Sequence, residues 1–370
     1  ATSGSGSGLG GTAASGTGSG LGGTATSGSG GSAGAGPAGG RSTAGSTNSG
    51  PTGGNASQPS INCGREGHWE PVGPIQHPWN QSSQPTGIGR INGIAFHPTD
   101  TNTLFALAPQ GGVWKTTDYG KTWSHFWKSS TSTSYLTLGA SAMVLSYRNP
   151  DTLYIGTGDC DAGDAPGYGV IFSTNGGKTF ALRNSGMGNQ TVSRIIMHPR
   201  NSAILLASTS GGVFKSTNSG STWTRTSPTS VKYHDLVFHP FNPNIVYATS
   251  NGLFYRSTDA GNSFVQITTG LPTSGVQRAQ IAVSKADRSR VYMLVSANSR
   301  FQGCYLSTDS GQTFANRNTT PANILGYSEM GTDNVGQGWY DLDLAADPYN
   351  ALTVYALGIN VWKSTDGGAT

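Results

Sequence analysis

The sequence predicts an all-β chain: a β-propeller of about six four-stranded blades, preceded by a Gly/Ser/Thr-rich N-terminal arm. Three observations predict it. A phrase of the form Ser/Thr-x-Asp/Asn-x-Gly-x-Thr/Ser-Trp/Phe recurs six times, with its acid or amide at Asp118, Asn175, Asn218, Asp259, Asp309 and Asp366. The spacing of 41 to 57 residues between copies is that of a repeat whose unit is one supersecondary element. Upstream of each copy stands a second phrase, an apolar run, a short turn that is His-Pro or Asp-Pro in the clearest cases, and another apolar run, as in Ile94 to Ala106, Leu236 to Ala248 and Leu344 to Ala356.

Taken in chain order, residues 1–62 come first. They are almost wholly Gly, Ser, Thr and Ala, with Arg41 as the single charge, a composition that forms no core and reads as a flexible linker. Order over such a length would need a neighbouring copy of the chain or attached glycan to offset its conformational entropy. Residues 63–370 form the propeller. Within it, residues 68–73 read as an orphan outer strand, an aromatic at Trp69 followed by a run through Val72 with no hairpin before it. The blades are expected at about 90–127, 140–183, 192–226, 234–267, 279–316 and 341–370. In each, the two apolar runs of the second phrase are strands one and two, and the first phrase caps the hairpin that joins strand three to strand four. Asp or Asn there accepts backbone N–H groups, and Gly supplies a conformation closed to other residues. Because Asn175 and Asn218 cannot act as acids or nucleophiles, the six positions are assigned to structure. The sixth copy, Ser364 to Thr370, has no aromatic after it, and the Trp69 strand is expected to complete that blade or a neighbouring molecule's.

Composition excludes several functions. Net charge is +4 and 11% of residues are charged, so neither nucleic acid nor an anionic membrane is an expected partner. No apolar run reaches the length of a membrane span, and Ala1 in place of Met is read as a processed secreted chain or a partial one. Cys63, Cys160 and Cys304 allow at most one internal disulfide and match no zinc spacing. Free buried thiols, or an intermolecular bridge through Cys63, are the two readings. Sequons at Asn55, Asn80, Asn189 and Asn318 lie in expected loops and are candidate glycosylation sites.

Chemistry is expected on the face of the long connections, 128–139, 158–167, 298–303 and 317–340, since long loops on a rigid scaffold carry binding residues. Asp159, Asp161 and Asp164 place three carboxylates in six residues, a set that suits Ca²⁺, with turn capping by the same side chains as the alternative. Glycoside hydrolysis needs paired carboxyl groups, and Asp159 or Asp164 with Asp333 or Asp341 could supply them. Asp159 and Asp341 are the candidate pair. Trp127, Tyr135, Tyr168, Tyr327, Trp339 and Tyr340 could stack on sugar rings or fill inter-blade contacts.

The repeated phrases resemble those of the Asp-box, or BNR, propellers, which include sortilin-type receptors, sialidases and xyloglucan hydrolases. Trp69-Glu70-Pro71-Val72-Gly73-Pro74, Gly89 to Pro98, Gly156-Thr157-Gly158-Asp159 and Gly336 to Leu342 resemble secreted propeller proteins of Bacteroidetes-type bacteria, and Asp151-Thr152-Leu153 resembles an O-glycosylation signal of that secretion route, at Thr152. The resemblance implies an extracellular or cell-surface protein. No arginine cluster with a Tyr/Glu pair marks a sialidase. The leading expectation is therefore a non-catalytic structural or adhesive protein that assembles with itself, into a filament in its sharper form, through the N-terminal arm. The alternatives are an extracellular xyloglucan-type polysaccharide hydrolase and a carbohydrate- or peptide-binding module.

Overall fold

The computed structural model describes residues 90–126, 139–317 and 322–370, all within one compact unit of the chain, Gly64–Thr370. These residues contain strands and turns and no helix. Blade one is β1 (Gly93–Phe96), β2 (Leu104–Ala108), β3 (Gly112–Thr116) and β4 (Ser124–His125). Blade two is β5 (Ala140–Leu145), β6 (Leu153–Thr157), β7 (Val170–Ser173) and β8 (Ala181–Leu182). Blade three is β9 (Val192–Met197), β10 (Leu205–Thr209), β11 (Gly212–Ser216) and β12 (Thr224–Arg225). Blade four is β13 (Asp235–Phe238), β14 (Val246–Ser250), β15 (Leu253–Ser257) and β16 (Val265–Ile267). Blade five is β17 (Arg278–Val283), β18 (Val291–Ala297), β19 (Arg300–Ser307) and β20 (Ala315–Asn316). Blade six is β21 (Asp343–Ala346), β22 (Val354–Leu357) and β23 (Val361–Ser364).

Each sheet is an antiparallel meander in chain order, and the whole is a six-bladed propeller. Five sheets have four strands; the sixth has three among the described residues. The expected closing strand at Trp69 to Val72, the arm, Cys63, Trp127, Tyr135 and the sequons at Asn55, Asn80 and Asn318 lie outside the described residues.

The middle strands read as continuous apolar runs because both faces of each sheet are covered. Side chains alternate across a strand, so Leu153 and Ile155 of β6 pack toward blade one with Phe105 and Leu107, while Tyr154 between them packs toward blade three with Leu205 and Trp223. The pattern repeats around the ring, with Leu206 and Val246 between blades three and four, Tyr247 and Met293 between four and five, and Leu294 and Leu344 between five and six.

The capped turns have one bonding scheme in all six copies. In the first, the Thr116 hydroxyl donates to Asp118 Oδ1 at 2.7 Å and accepts the Gly120 N–H at 2.9 Å. Asp118 in turn accepts the Thr122 N–H at 2.9 Å and the Thr122 hydroxyl at 2.6 Å. Asn175 and Asn218 keep this geometry with one bond reversed, the amide donating to the Thr179 and Thr222 hydroxyls at 2.9 Å. Two consecutive residues, such as Ser219 and Gly220 at φ 57° and 75°, hold the left-handed region, which is why glycine recurs there.

The second phrase has its own cap. Nδ1 of His198 accepts the N–H groups of Arg200 and Asn201 at 3.2 and 3.1 Å. His97, His239 and Asp347 do the same for the residues that follow them, and Ser146 and Ser284 serve in blades two and five.

Candidate active site

The first strands of successive blades lie side by side, and Arg194, Arg278 and Asp343 from these strands converge with Arg90, Asp161 and Asp341 from adjoining loops on a polar cavity of about 210 Å³. Arg194, on β9, bonds Asp235 on the neighbouring β13 at 3.1 Å and reaches Asp343 on β21 at 3.5 Å. One guanidinium thus ties blade three to blades four and six. Burial works against its charge, but Asp235 and Asp343 outweigh it and raise its pKa. Asp235 is fixed as well by accepting the Ile281 N–H at 2.8 Å.

Arg278 is the second tie. Its side chain is 7% exposed, pairs with Asp161 of blade two at 2.8 Å, and donates to the carbonyls of Trp339 and Tyr340 at 3.1 and 2.9 Å. A loop of blade two and the loop leading into blade six are held against one cation. Arg90 completes the wall, its guanidinium 4.6 Å from the centre of the Tyr340 ring and ion-paired with Asp159. His234 also lines the cavity. Burial, then Lys232 and Arg278, push its pKa down to about 3, which keeps the ring neutral.

The structure separates the carboxylates that sequence proximity grouped. Asp159 is buried, and besides Arg90 it accepts the N–H groups of Asp161, Ala162 and Asp164 at 3.0, 3.3 and 2.9 Å. Its lone pairs are consumed in shaping the loop, so it is not placed to act as a catalytic base. Asp161 is committed to Arg278, and Asp164 is exposed. Among the described residues no group of three or more His, Cys, Asp or Glu side chains is arranged to hold a metal ion, and of the expected calcium set Asp159 takes the turn-capping role that stood as its alternative. Asp333 accepts the N–H groups of Tyr327 and Ser328 at 2.7 and 3.1 Å and caps its own loop.

Asp341 behaves differently. Its carboxyl group has no hydrogen bond or ion pair among the described residues, and it faces the cavity. Burial raises its pKa, Arg278 and Arg90 pull it down by less, and Asp161 adds to the rise. Asp343 is also raised, by burial against the pull of Arg194, although its side chain is 58% exposed. Its side chain opens onto the cavity, within walls formed by the surrounding blades. Trp339, 43% exposed, has its ring centre 5.0 Å from that of Tyr340 in the cavity wall, and Tyr327, 53% exposed, accepts from the Gln337 amide at 2.8 Å.

The remaining predicted positions are dispersed. Asn189 is exposed and accepts from the Asn184 amide at 3.0 Å, and Thr152 is half-buried in a turn. Cys160 and Cys304 are free and buried, and burial pushes their thiols up to about 11 and about 12. Arg194, Arg278, Arg90 and Asp343 were not among the sequence candidates. The signal that could have found them is a charge set in or just before an otherwise apolar first strand.

The fold and cavity define a six-bladed propeller with a polar, carboxyl-bearing cavity at the convergence of its first strands. No protein-family model matches the chain. It is similar in sequence to the xyloglucanase Xgh74A of Acetivibrio thermocellus, 24% identical over 161 residues that make up 41% of this chain and 19% of that protein. Among solved structures, a GH74 enzyme of Niastella koreensis matches with a TM-score of 0.59 at 20% identity, over 76% of this chain and 46% of the enzyme. The GH74 xyloglucanase of Xanthomonas campestris matches with a TM-score of 0.54 at 18% identity, over 75% of this chain and 44% of its own. This chain spans about a fifth of the length of the curated relative and less than half of these solved enzymes. The structural likeness shows the fold. The similarity to xyloglucanases overturns the leading expectation of a non-catalytic structural or adhesive protein and favours the polysaccharide hydrolase that stood as its alternative.

Proposed function

We propose that this propeller engages and hydrolyses a β-glucan of the xyloglucan class outside the cell, with Asp341 as the general acid. The observation that carries the proposal is Asp341 itself, a carboxyl group with no partner among the described residues and a raised pKa, in a water-accessible cavity. A glycosidase needs one carboxyl kept protonated to give its proton to the departing oxygen, and a second one ionised. Asp161, ion-paired with Arg278 at 2.8 Å, is the nearby carboxylate, close enough to raise Asp341 further. Trp339 and Tyr327 offer exposed faces on which sugar rings can stack. Similarity to a xyloglucanase supports the choice of substrate class.

The full chain, incubated with xyloglucan, is expected to release reducing ends, and Asp341→Asn to lower kcat by about 10²–10⁴ with KM little changed. Binding without release of reducing ends, or an Asp341→Asn variant as active as the unaltered chain, would overturn the proposal.

A further inference from the structure

Among the described residues, blade six has two features side by side that the other blades do not share. One is an edge. β23 pairs with β22 and has no strand on its other side among the described residues, whereas β3, β7, β11, β15 and β19 each carry a fourth strand. Val361 on that edge is 62% exposed. The other is an apolar cleft of about 100 Å³ between blades five and six, bordered by Leu294, Cys304, Leu344, Trp362, Gly368 and Thr370. The buried Trp362 Nε1 has no hydrogen-bond partner among the described residues.

Other blades show what such a cleft holds. In blades two to five the aromatic that ends the capping phrase packs against the preceding blade, as Phe180 does with Phe105 and Leu107 of blade one. Trp223 sits with Tyr154 of blade two, Phe264 with Leu206 and Val213 of blade three, and Phe314 with Tyr247 and Phe254 of blade four. The fourth strands also share one register. The residue after the aromatic pairs with the residue just before the phrase, as Ser124 with Lys115, Ala181 with Phe172, Thr224 with Lys215, Val265 with Arg256 and Ala315 with Leu306. Two residues further on, a backbone N–H donates to the third strand, Phe126 to Val113, Arg183 to Val170, Thr226 to Val213 and Arg317 to Cys304. The N–H of the residue between therefore points away from the blade.

We propose that residues 68–73 form the fourth strand of blade six of their own chain, with Trp69 filling the cleft beside Cys304. The shared register then sets Glu70 opposite Lys363, Pro71 opposite Trp362 and Val72 opposite Val361. Each pairing fits its position. Glu70 and Lys363 are opposite charges on directly facing residues. Pro71 falls where the strand's N–H points outward, the one kind of place in a sheet where a missing donor costs nothing. Val72 covers the exposed Val361. The chain from Gly73 to Arg90 extends to about 55 Å at roughly 3.3 Å per residue, well beyond the roughly 15 Å width of a four-stranded blade.

The test pairs Glu70→Cys with Lys363→Cys in the full chain carrying Cys63→Ser. Facing residues at a hydrogen-bonded position lie about 5.5 Å apart at Cα, inside the range a disulfide spans. Mild oxidation is expected to give a monomer with one new internal disulfide, formed at least about tenfold faster than in the register-shifted pair Glu70→Cys with Val361→Cys. A disulfide-linked dimer would give the strand to a second copy and overturn closure within one chain. A folded monomer without the crosslink would overturn the strand altogether. As a second measurement that does not depend on the crosslink, Trp69→Ala should uncover Cys304 and speed its alkylation by about tenfold or more under native conditions, and an unchanged rate would overturn the placement of Trp69.

Discussion

Asp309→Ala removes the acceptor of four hydrogen bonds, from the Ser307 hydroxyl at 2.7 Å, the N–H groups of Gln312 and Thr313 at 2.9 Å and the Thr313 hydroxyl at 2.6 Å. Each such bond is worth about 0.5–1.5 kcal/mol net, and because the turn is solvent-exposed water recovers part of the loss, so the expected cost at pH 7 is about 1–3 kcal/mol. Slight burial acts to raise the Asp309 pKa, but donation from Thr313, Ser307 and Gln312 outweighs it and holds the carboxyl down to about 2, against about 3.9 in an unfolded chain. A carboxyl depressed in the folded state contributes stability that is fully present above the unfolded pKa and is lost as pH falls through the folded one. The cost of Asp309→Ala should therefore shrink between about pH 4 and pH 2. The protein carries its own control. Asn218 occupies the same place, accepts the Thr222 N–H at 2.9 Å and donates to the Thr222 hydroxyl at 2.9 Å, and it does not titrate. Urea denaturation of both alanine variants and the unaltered chain, from pH 7 down to the lowest pH at which all fold, measures the difference directly. The reasoning is refuted if the Asp309→Ala cost stays constant over that range, or if the Asn218→Ala cost falls in parallel with it.

Two further substitutions probe the cavity and the second cap. Arg278→Ala leaves Asp161, 12% exposed, without its cation and the Trp339 and Tyr340 carbonyls without their donor, so denaturation should show a loss of about 3–5 kcal/mol. His198→Asp keeps an acceptor for the Arg200 and Asn201 N–H groups, as Asp347 does in blade six, and should change stability little, while His198→Leu should cost about 1–2 kcal/mol. Burial, Lys215 and Arg200 lower the His198 pKa below its ordinary value, so its contribution should be complete above about pH 6.5 and decline as pH falls below it. That decline should disappear in His198→Asp.

The parts of the fold that were legible are those written locally. Ser307, Asp309, Gly311 and Thr313 bond to one another over four residues or fewer, so a short phrase carries the whole turn, and six copies of it set the number of blades. The alternation of Leu153, Tyr154 and Ile155 toward two different neighbours is equally a property of one strand. The cavity is written otherwise. Arg194 finds its partners 41 and 149 residues away, and Arg278 holds carbonyls 61 and 62 residues away, distances at which no spacing rule connects a residue to its contact. Proximity in sequence grouped Asp159, Asp161 and Asp164, yet the structure uses them apart: Asp159 meets its own loop's N–H groups first and is used up by them, while Asp161 turns to Arg278 and Asp164 to solvent. What did survive in the sequence is anomaly. A charge in a strand buried by both neighbours is costly unless it meets water or a partner, and Arg194, Asp235, Arg278 and Asp343 all stand in first strands. Four such charges imply a polar axis before any coordinate is known. Only the structure shows that three of these four, Arg194, Asp235 and Arg278, are firmly paired with one another or with Asp161, that Asp343 is held at 3.5 Å by Arg194, and that the carboxyl group of Asp341, two residues before it, has no partner among the described residues.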